Sequence, residues 1–146
     1  MIKKLSIFIL FFLYGCGYTA IYKDNNINDY NIIISKMSGD MIMNELIKNE
    51  LEIVSNENSE NNYYVELNTI YSKEIKSKNN SGIVSNYEIT LGVRFDIDSE
   101  IITFEEKFIV ENISDSIEQK NYEDIVKKNF ASSIREKLVT RLLSLQ

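Results

Sequence analysis

Two long segments of this chain alternate apolar and polar side chains with a period of two, the pattern of strands with one buried and one wet face. They are Tyr63–Ile75 and Ile83–Asp98. Half-buried strands of this kind are typical of antiparallel sheets. In the second segment the apolar side occupies odd-numbered positions: Ile83, Tyr87, Ile89, Leu91, Val93, Phe95 and Ile97.

Turn residues separate these segments and predict a meander of three strands. Lys76–Gly82 is rich in Lys, Ser, Asn and Gly and predicts a hairpin loop. Asp98-Ser99-Glu100 predicts a second reversal into a strand at Ile101–Glu111. The core face of that last strand is predicted to carry Phe104, Phe108 and Val110.

The residues before the meander predict one strand and one helix. Tyr30–Lys36 is a β-branched run and predicts the first strand. Apolar residues then recur at helical spacing over about Asp40–Val54, with Ser38 or Asp40 as the N-cap.

A second, longer helix is predicted after the meander. Ser116-Ile117-Glu118-Gln119 matches a capping box in which the Ser and Gln side chains satisfy free backbone N–H groups. The apolar stripe behind it packs on the sheet, which needs a cover for its apolar face; the alternative is a helix lying on a membrane surface. The stripe consists of Tyr122, Ile125, Val126, Phe130, Ile134, Leu138, Leu142 and Leu145.

The element order is therefore β-α-β-β-β-α. The first helix is long enough for a right-handed crossover that places the second strand parallel to the first. The predicted fold class is α+β: a two-layer sandwich with two helices on one face of a four-stranded mixed sheet. Residues 30–146 form one domain.

The first 15 residues have the parts of a secretory signal peptide. Lys3 and Lys4 provide the positive start, and Leu5–Phe12 provides the apolar stretch. That stretch is too short to cross a bilayer, which needs about 20 helical residues. The alternative is an uncleaved apolar N-terminus with an incidental cysteine.

The end of the signal indicates a lipid anchor. Leu13-Tyr14-Gly15-Cys16 resembles a lipobox, so we expect cleavage between Gly15 and Cys16 and a diacylglycerol on the Cys16 thiol. Two or three acyl chains anchor a protein stably in a membrane. Residues 16–29 then form a tether, and Gly17, in place of aspartate, favours sorting to the outer membrane.

The composition argues against catalysis and nucleic-acid binding. The chain has no histidine and one cysteine, which the lipid consumes, and no phosphate-binding glycine motif. Glu105 and Glu106 could in principle serve acid–base chemistry as a carboxylate pair. They are adjacent in a strand, however, and point to opposite faces, so they cannot both face one substrate. The net charge of −6 opposes phosphate binding, and removing Lys3 and Lys4 makes it more negative. We expect no enzyme activity, no metal, no cofactor beyond the covalent lipid, and no nucleic acid.

The mature chain resembles the lipopolysaccharide-assembly lipoprotein family LptE. The mature chains of family members begin with Cys-Gly-Phe/Tyr-x-x-x-Tyr. Cys16-Gly17-Tyr18 and Tyr22 match this motif. The resemblance implies an outer-membrane partner and plug of the LptD β-barrel that helps deliver lipopolysaccharide. A polar sheet face suits a polar barrel lumen. Further similar segments are Asn49-Glu50-Leu51, Tyr63–Leu67, Tyr87–Leu91 and Arg141-Leu142-Leu143.

A rival interpretation is another outer-membrane lipoprotein, acting as an envelope scaffold or as an accessory subunit of a secretion or barrel-assembly machine. A carrier of soluble ligands is a third class, but nothing in the sequence marks a deep apolar pocket. Lys73, Lys76 and Lys78 form a candidate contact for lipopolysaccharide phosphates, the alternative being solvated hairpin lysines.

Overall fold

The computed structural model describes residues 30–98 and 100–144, in which two helices lie against one sheet. The sheet has the order β1-β2-β3-β4; β1 and β2 are parallel, and the other neighbours are antiparallel. The predicted fold class is confirmed. In chain order the elements are β1 Asn31–Gly39, α1 Met41–Val54, β2 Asn62–Lys78, β3 Val84–Ile97, β4 Glu100–Glu111 and α2 Ser116–Leu143.

Several predictions concern residues outside the described ranges. They are the signal peptide over 1–15, cleavage between Gly15 and Cys16, lipidation of Cys16, and the tether over 16–29. The division of the chain into these segments stays a prediction. In the described residues neither helix is long and apolar enough to cross a membrane.

The period-two pattern places one side of the sheet in the core. Val65 lies opposite Ile97, and Leu67 lies opposite Phe95. The helices cover this side of the sheet, and their inward stripes complete the core. Fully buried side chains from the helices include Met43, Ile47, Leu51, Ala131, Ile134, Leu138 and Leu142.

The β2–β3 hairpin is longer than predicted. Lys76–Lys78 belongs to β2 rather than to the loop, and β3 pairs with it across register shifts beside Ser77. The strand pair extends into this polar segment because its backbone hydrogen bonds form whatever side chains the strands carry. Ser77 and Ser85 also share a hydroxyl hydrogen bond of 2.8 Å across the ribbon.

Three residues predicted for the apolar side are exposed. Phe108 points to the helix side of β4, but it is 44% exposed because β4 is the edge strand and is only partly covered. Ile125 is 54% exposed, because its neighbour Val126 takes the inward position on α2. Adjacent residues of a helix lie about 100° apart around its axis, so Ile125 cannot also point inward. Ile83 is 62% exposed in the hairpin loop.

Both helices begin with an aspartate cap. Asp40 caps α1, with its Oδ1 atom 2.8 Å from the Met43 N–H that donates to it. The predicted capping box of α2 was wrong by one residue: Asp115 is the N-cap and accepts from the N–H groups of Ile117 and Glu118. Gln119 reaches back instead to the N–H of Ile113, at 2.7 Å.

Candidate functional site

The sheet side opposite the helices, here called the outer face, carries the even-numbered residues of β2 and β3 and the odd-numbered residues of β4. Polar side chains align across the strands in rows. Asn68 lies beside Arg94 and then Thr103, and another row joins Ser72, Thr90 and Lys107. All six residues are exposed or half-buried, so this face is open to a partner in the described part of the chain.

Several charges on the outer face are paired with opposite charges close by. Glu105 and Lys107 are 2.8 Å apart along β4, and Lys76 and Glu88 are 2.8 Å apart across the hairpin. The hydrogen bond from Lys76 holds the pKa of the Glu88 carboxyl below its usual value. Exposed pairs of this kind contribute about 0–1 kcal/mol each, so they add little to stability. They give the face a mixed charge instead.

The centre of the outer face is flat. Gly92 lies there, and a Cβ atom added to it would meet nothing nearer than the Ile70 carbonyl oxygen at 4.0 Å. Its neighbour in the register, Ile70, is 70% exposed. A glycine inside a strand often marks a close approach of another backbone or ligand. Further exposed apolar side chains on this face are Tyr64, Ile101 and Ile109.

The three candidate lysines do not converge on one site. Lys73 lies on the helix side, where its ammonium pairs with Glu123 of α2 and sits 4.1 Å from the centre of the Tyr87 ring. Lys76 lies on the outer face and pairs with Glu88. Lys78 has no carboxylate partner among the residues described, so it is the freest of the three.

The surroundings of Lys73 link α2 to the sheet. Burial alone would raise the pKa of Glu123, but hydrogen bonds from Lys73 and Gln119 and the nearby ammonium charges bring it below its usual value. Tyr71 lies beside this cluster; burial, and then the negative charge of Glu123, raises its pKa to about 12. Its hydroxyl is buried without a hydrogen-bond partner among the described residues. Lys73 therefore serves the packing of α2.

The adjacent carboxylates of β4 diverge, as the sequence predicts. Glu106 points to the helices and accepts from Lys137 at 2.7 Å and from Ser133 at 2.5 Å. Glu105 points to the outer face and pairs with Lys107. Among the described residues no group of three or more potential ligand side chains is placed to hold a metal ion. The absence of enzyme activity stays a prediction.

A groove of about 750 Å³ follows β1 on the side of α1. Ile32 and Leu51 form part of its wall, and Lys48 and Glu52 stand at its side. No local pattern in the sequence predicts this groove, because its walls come from elements separated along the chain. Its lining is mixed, and two of its charged residues, Lys48 and Glu52, lie 3.8 Å apart in an ion pair with each other.

Solved structures share this fold, although no protein-family model and no curated protein matches the chain. Rare lipoprotein B from Shewanella oneidensis has a TM-score of 0.53 at 14% identity, covering 80% of this chain and 94% of that one. A minor lipoprotein from Acinetobacter baumannii has a TM-score of 0.50 at 15% identity, covering 73% and 93%. A protein from Caulobacter crescentus has a TM-score of 0.53 at 8% identity, covering 82% and 91%. The chain therefore has the fold of proteins named as bacterial lipoproteins.

Proposed function

We propose that this chain is an outer-membrane lipoprotein that supports lipopolysaccharide assembly as the partner of an LptD-type β-barrel. The observation that carries the proposal is the outer face, a wide polar sheet surface open to water and joined to a fold shared with lipoproteins. The lipobox ending at Cys16 and the following Gly17-Tyr18 support it from the sequence.

The chemistry of the outer face suits the inside of a barrel. A barrel lumen is polar, so a plug that presents only apolar side chains there would leave lumen groups unpaired. Asn68, Ser72 and Thr90 offer both donors and acceptors of hydrogen bonds. The small residue Gly92 allows a barrel side chain or strand to approach the sheet closely. The lipid on Cys16 would keep the domain at the membrane.

Site-specific photo-crosslinking in cells tests this function. A photoreactive residue replacing Thr90, at the middle of the outer face, is expected to crosslink to one large outer-membrane barrel in a one-to-one complex. A matched probe at the exposed Asn49 of α1 reports the helix side, where we expect a weaker product or none. Mass spectrometry identifies the partner. Recovery of only peptidoglycan-associated or inner-membrane proteins from both probes would reject the barrel partnership in favour of the scaffold interpretation.

We propose further that Lys73, Lys76 and Lys78 add a salt-sensitive component to lipopolysaccharide binding, with Lys78 contributing most because the other two are paired. Changing all three to serine is expected to weaken binding about fivefold at low salt, since single exposed charges contribute about 0.2–1 kcal/mol each. At moderate salt the difference should shrink.

The binding is measured by titrating lipopolysaccharide into the purified chain at two salt concentrations, with circular dichroism to verify the fold. The control replaces Lys48 and Lys120, which lie on the helices, with serine. Equal affinity of the triple variant and the unaltered chain at both salt concentrations would show that the three lysines are solvated surface residues that do not contribute to binding.

A further inference from the structure

The strand β4 presents a long free edge. It is the last strand in the sheet, so half of its backbone N–H and C=O groups face away from β3 and have no partner strand in the described chain. β4 pairs with β3 from Glu100 to Glu111 without a register shift. The opposite edge, β1, is interrupted by a bulge between Ile34 and Lys36, which disturbs continuous pairing. An uninterrupted edge is the better template for another strand.

Exposed apolar side chains line this edge on both sides. Phe108 is 44% exposed on the helix side, while Ile101 and Ile109 are 55% and 52% exposed on the outer face. Edge strands that must stay unpaired usually carry bulges, prolines or charged side chains, especially lysine. β4 has no proline and no bulge in its pairing with β3. Its charges Glu105 and Lys107 are of opposite sign and lie two residues apart on the same face, so a second copy can neutralise both.

We propose that β4 pairs antiparallel with β4 of a second copy of this chain, about a two-fold axis that passes through Glu106. This pairing concerns the chain that is not bound to a barrel, so it goes beyond the barrel partnership and does not depend on it. It places Glu105 opposite Lys107 twice, once on each side of the axis. The same register puts Phe104 opposite Phe108 on the helix side, where Phe108 is now partly bare. The result is one continuous sheet of eight strands.

Charge selects this register over its neighbours. A shift of the axis by one residue places Glu105 opposite Glu105 or Lys107 opposite Lys107, and like charges directly opposite one another destabilise a strand pair. Glu106 meets its own copy at the axis, but Lys137 and Ser133 of the same chain already hold its carboxylate. That carboxylate points to the helix layer with its charge balanced.

Light scattering during size-exclusion chromatography of the full-length chain in detergent measures the pairing. We expect a concentration-dependent dimer for the unaltered chain. Glu105→Lys alone, or Lys107→Glu alone, places like charges opposite each other twice, and each is expected to weaken dimerisation about tenfold. The double exchange E105K/K107E restores the opposite charges and should restore the dimer. Glu74→Lys, on the outer face two strands away from β4, is the matched control.

Mixing the two single variants provides the sharpest test. The Glu105→Lys chain has lysine at positions 105 and 107, and the Lys107→Glu chain has glutamate at both. Only a pair made of one chain of each kind therefore has opposite charges at each contact. We expect the mixture to form a heterodimer about as readily as the unaltered chain forms its dimer, whereas each variant alone dimerises about tenfold more weakly. A monomeric unaltered chain at every concentration would overturn the proposal. A dimer that Glu105→Lys and Lys107→Glu leave unchanged would overturn it as well.

Discussion

Gly39→Ala is expected to lower the free energy of unfolding by about 2–4 kcal/mol, a large share of the about 5–15 kcal/mol typical of a domain. Gly39 ends β1 at a φ of 92°, and a Cβ atom there would lie 1.8 Å from the carbonyl oxygen of Thr69. The obstacle is backbone of the neighbouring strand, with the Thr69 carbonyl carbon at 2.8 Å and its nitrogen at 2.9 Å. The strands must therefore separate locally.

The damage is expected to reach the start of α1. The Thr69 carbonyl accepts from the Asp40 N–H at 3.2 Å, and the Thr69 hydroxyl contacts the Asp40 carbonyl at 3.1 Å. The same hydroxyl donates to Asn44, a buried polar side chain, at 2.9 Å. A displaced Thr69 therefore leaves polar groups unpaired at the junction of β1 and α1, each at a cost of about 1–3 kcal/mol where it is buried.

Gly82→Ala is the matched control, because Gly82 also has a positive φ, 79°, but a Cβ atom there meets no atom within 4 Å. Only the backbone conformation is then unfavourable, at about 1–2 kcal/mol. Urea unfolding of both variants, followed by circular dichroism, separates the two effects. Equal losses for Gly39→Ala and Gly82→Ala would show that the contact with Thr69 does not constrain the junction.

The difference between these glycines marks a limit of what the sequence can predict. The meander, the crossover and the covered face follow from patterns local to each segment: alternation in β2 and β3, and an apolar stripe in each helix. The contact of Gly39 with Thr69 joins residues 30 positions apart. It depends on the register between parallel strands, which no local pattern specifies.

The candidate site was predictable to the same extent. Alternation predicts a wet outer face and opposite directions for Glu105 and Glu106. Sequence proximity suggested one lysine cluster, but the structure places Lys73 and Lys76 on opposite sides of the sheet, each paired with a carboxylate from elsewhere in the chain. The partners, Glu123 and Glu88, could be found only from the packing of α2 and the pairing of β3.

Exposure of apolar side chains is likewise decided by position in the sheet. Phe95 and Phe108 both belong to period-two patterns and both point to the helix side. Phe95 is fully buried because β3 is a central strand with α1 and α2 above it, whereas β4 has a free edge and leaves Phe108 44% exposed. The strand order, which the alternation does not specify, accounts for the difference.

Phe95→Ala is expected to cost about 3–5 kcal/mol, the usual loss for a buried phenylalanine replaced by alanine. Its side chain has no exposed surface and packs edge-to-face on Phe104, with ring centres 6.2 Å apart and an interplanar angle of 68°. Leu67 and Ile102 lie beside it on the neighbouring strands. Rigid strands on both sides cannot close the resulting cavity, so the loss should approach the upper end of this range.

Phe108→Ala is the control for the same change of side chain on the same side of the sheet. Because about half of this ring is already in water, we expect a loss of about 1 kcal/mol. Unfolding is followed in urea at low protein concentration, where pairing of β4 between copies does not contribute. The midpoint should fall much further for Phe95→Ala, with an unchanged slope if the unfolding remains two-state. If the two variants lose equal stability, the centre of the core does not lie under β3.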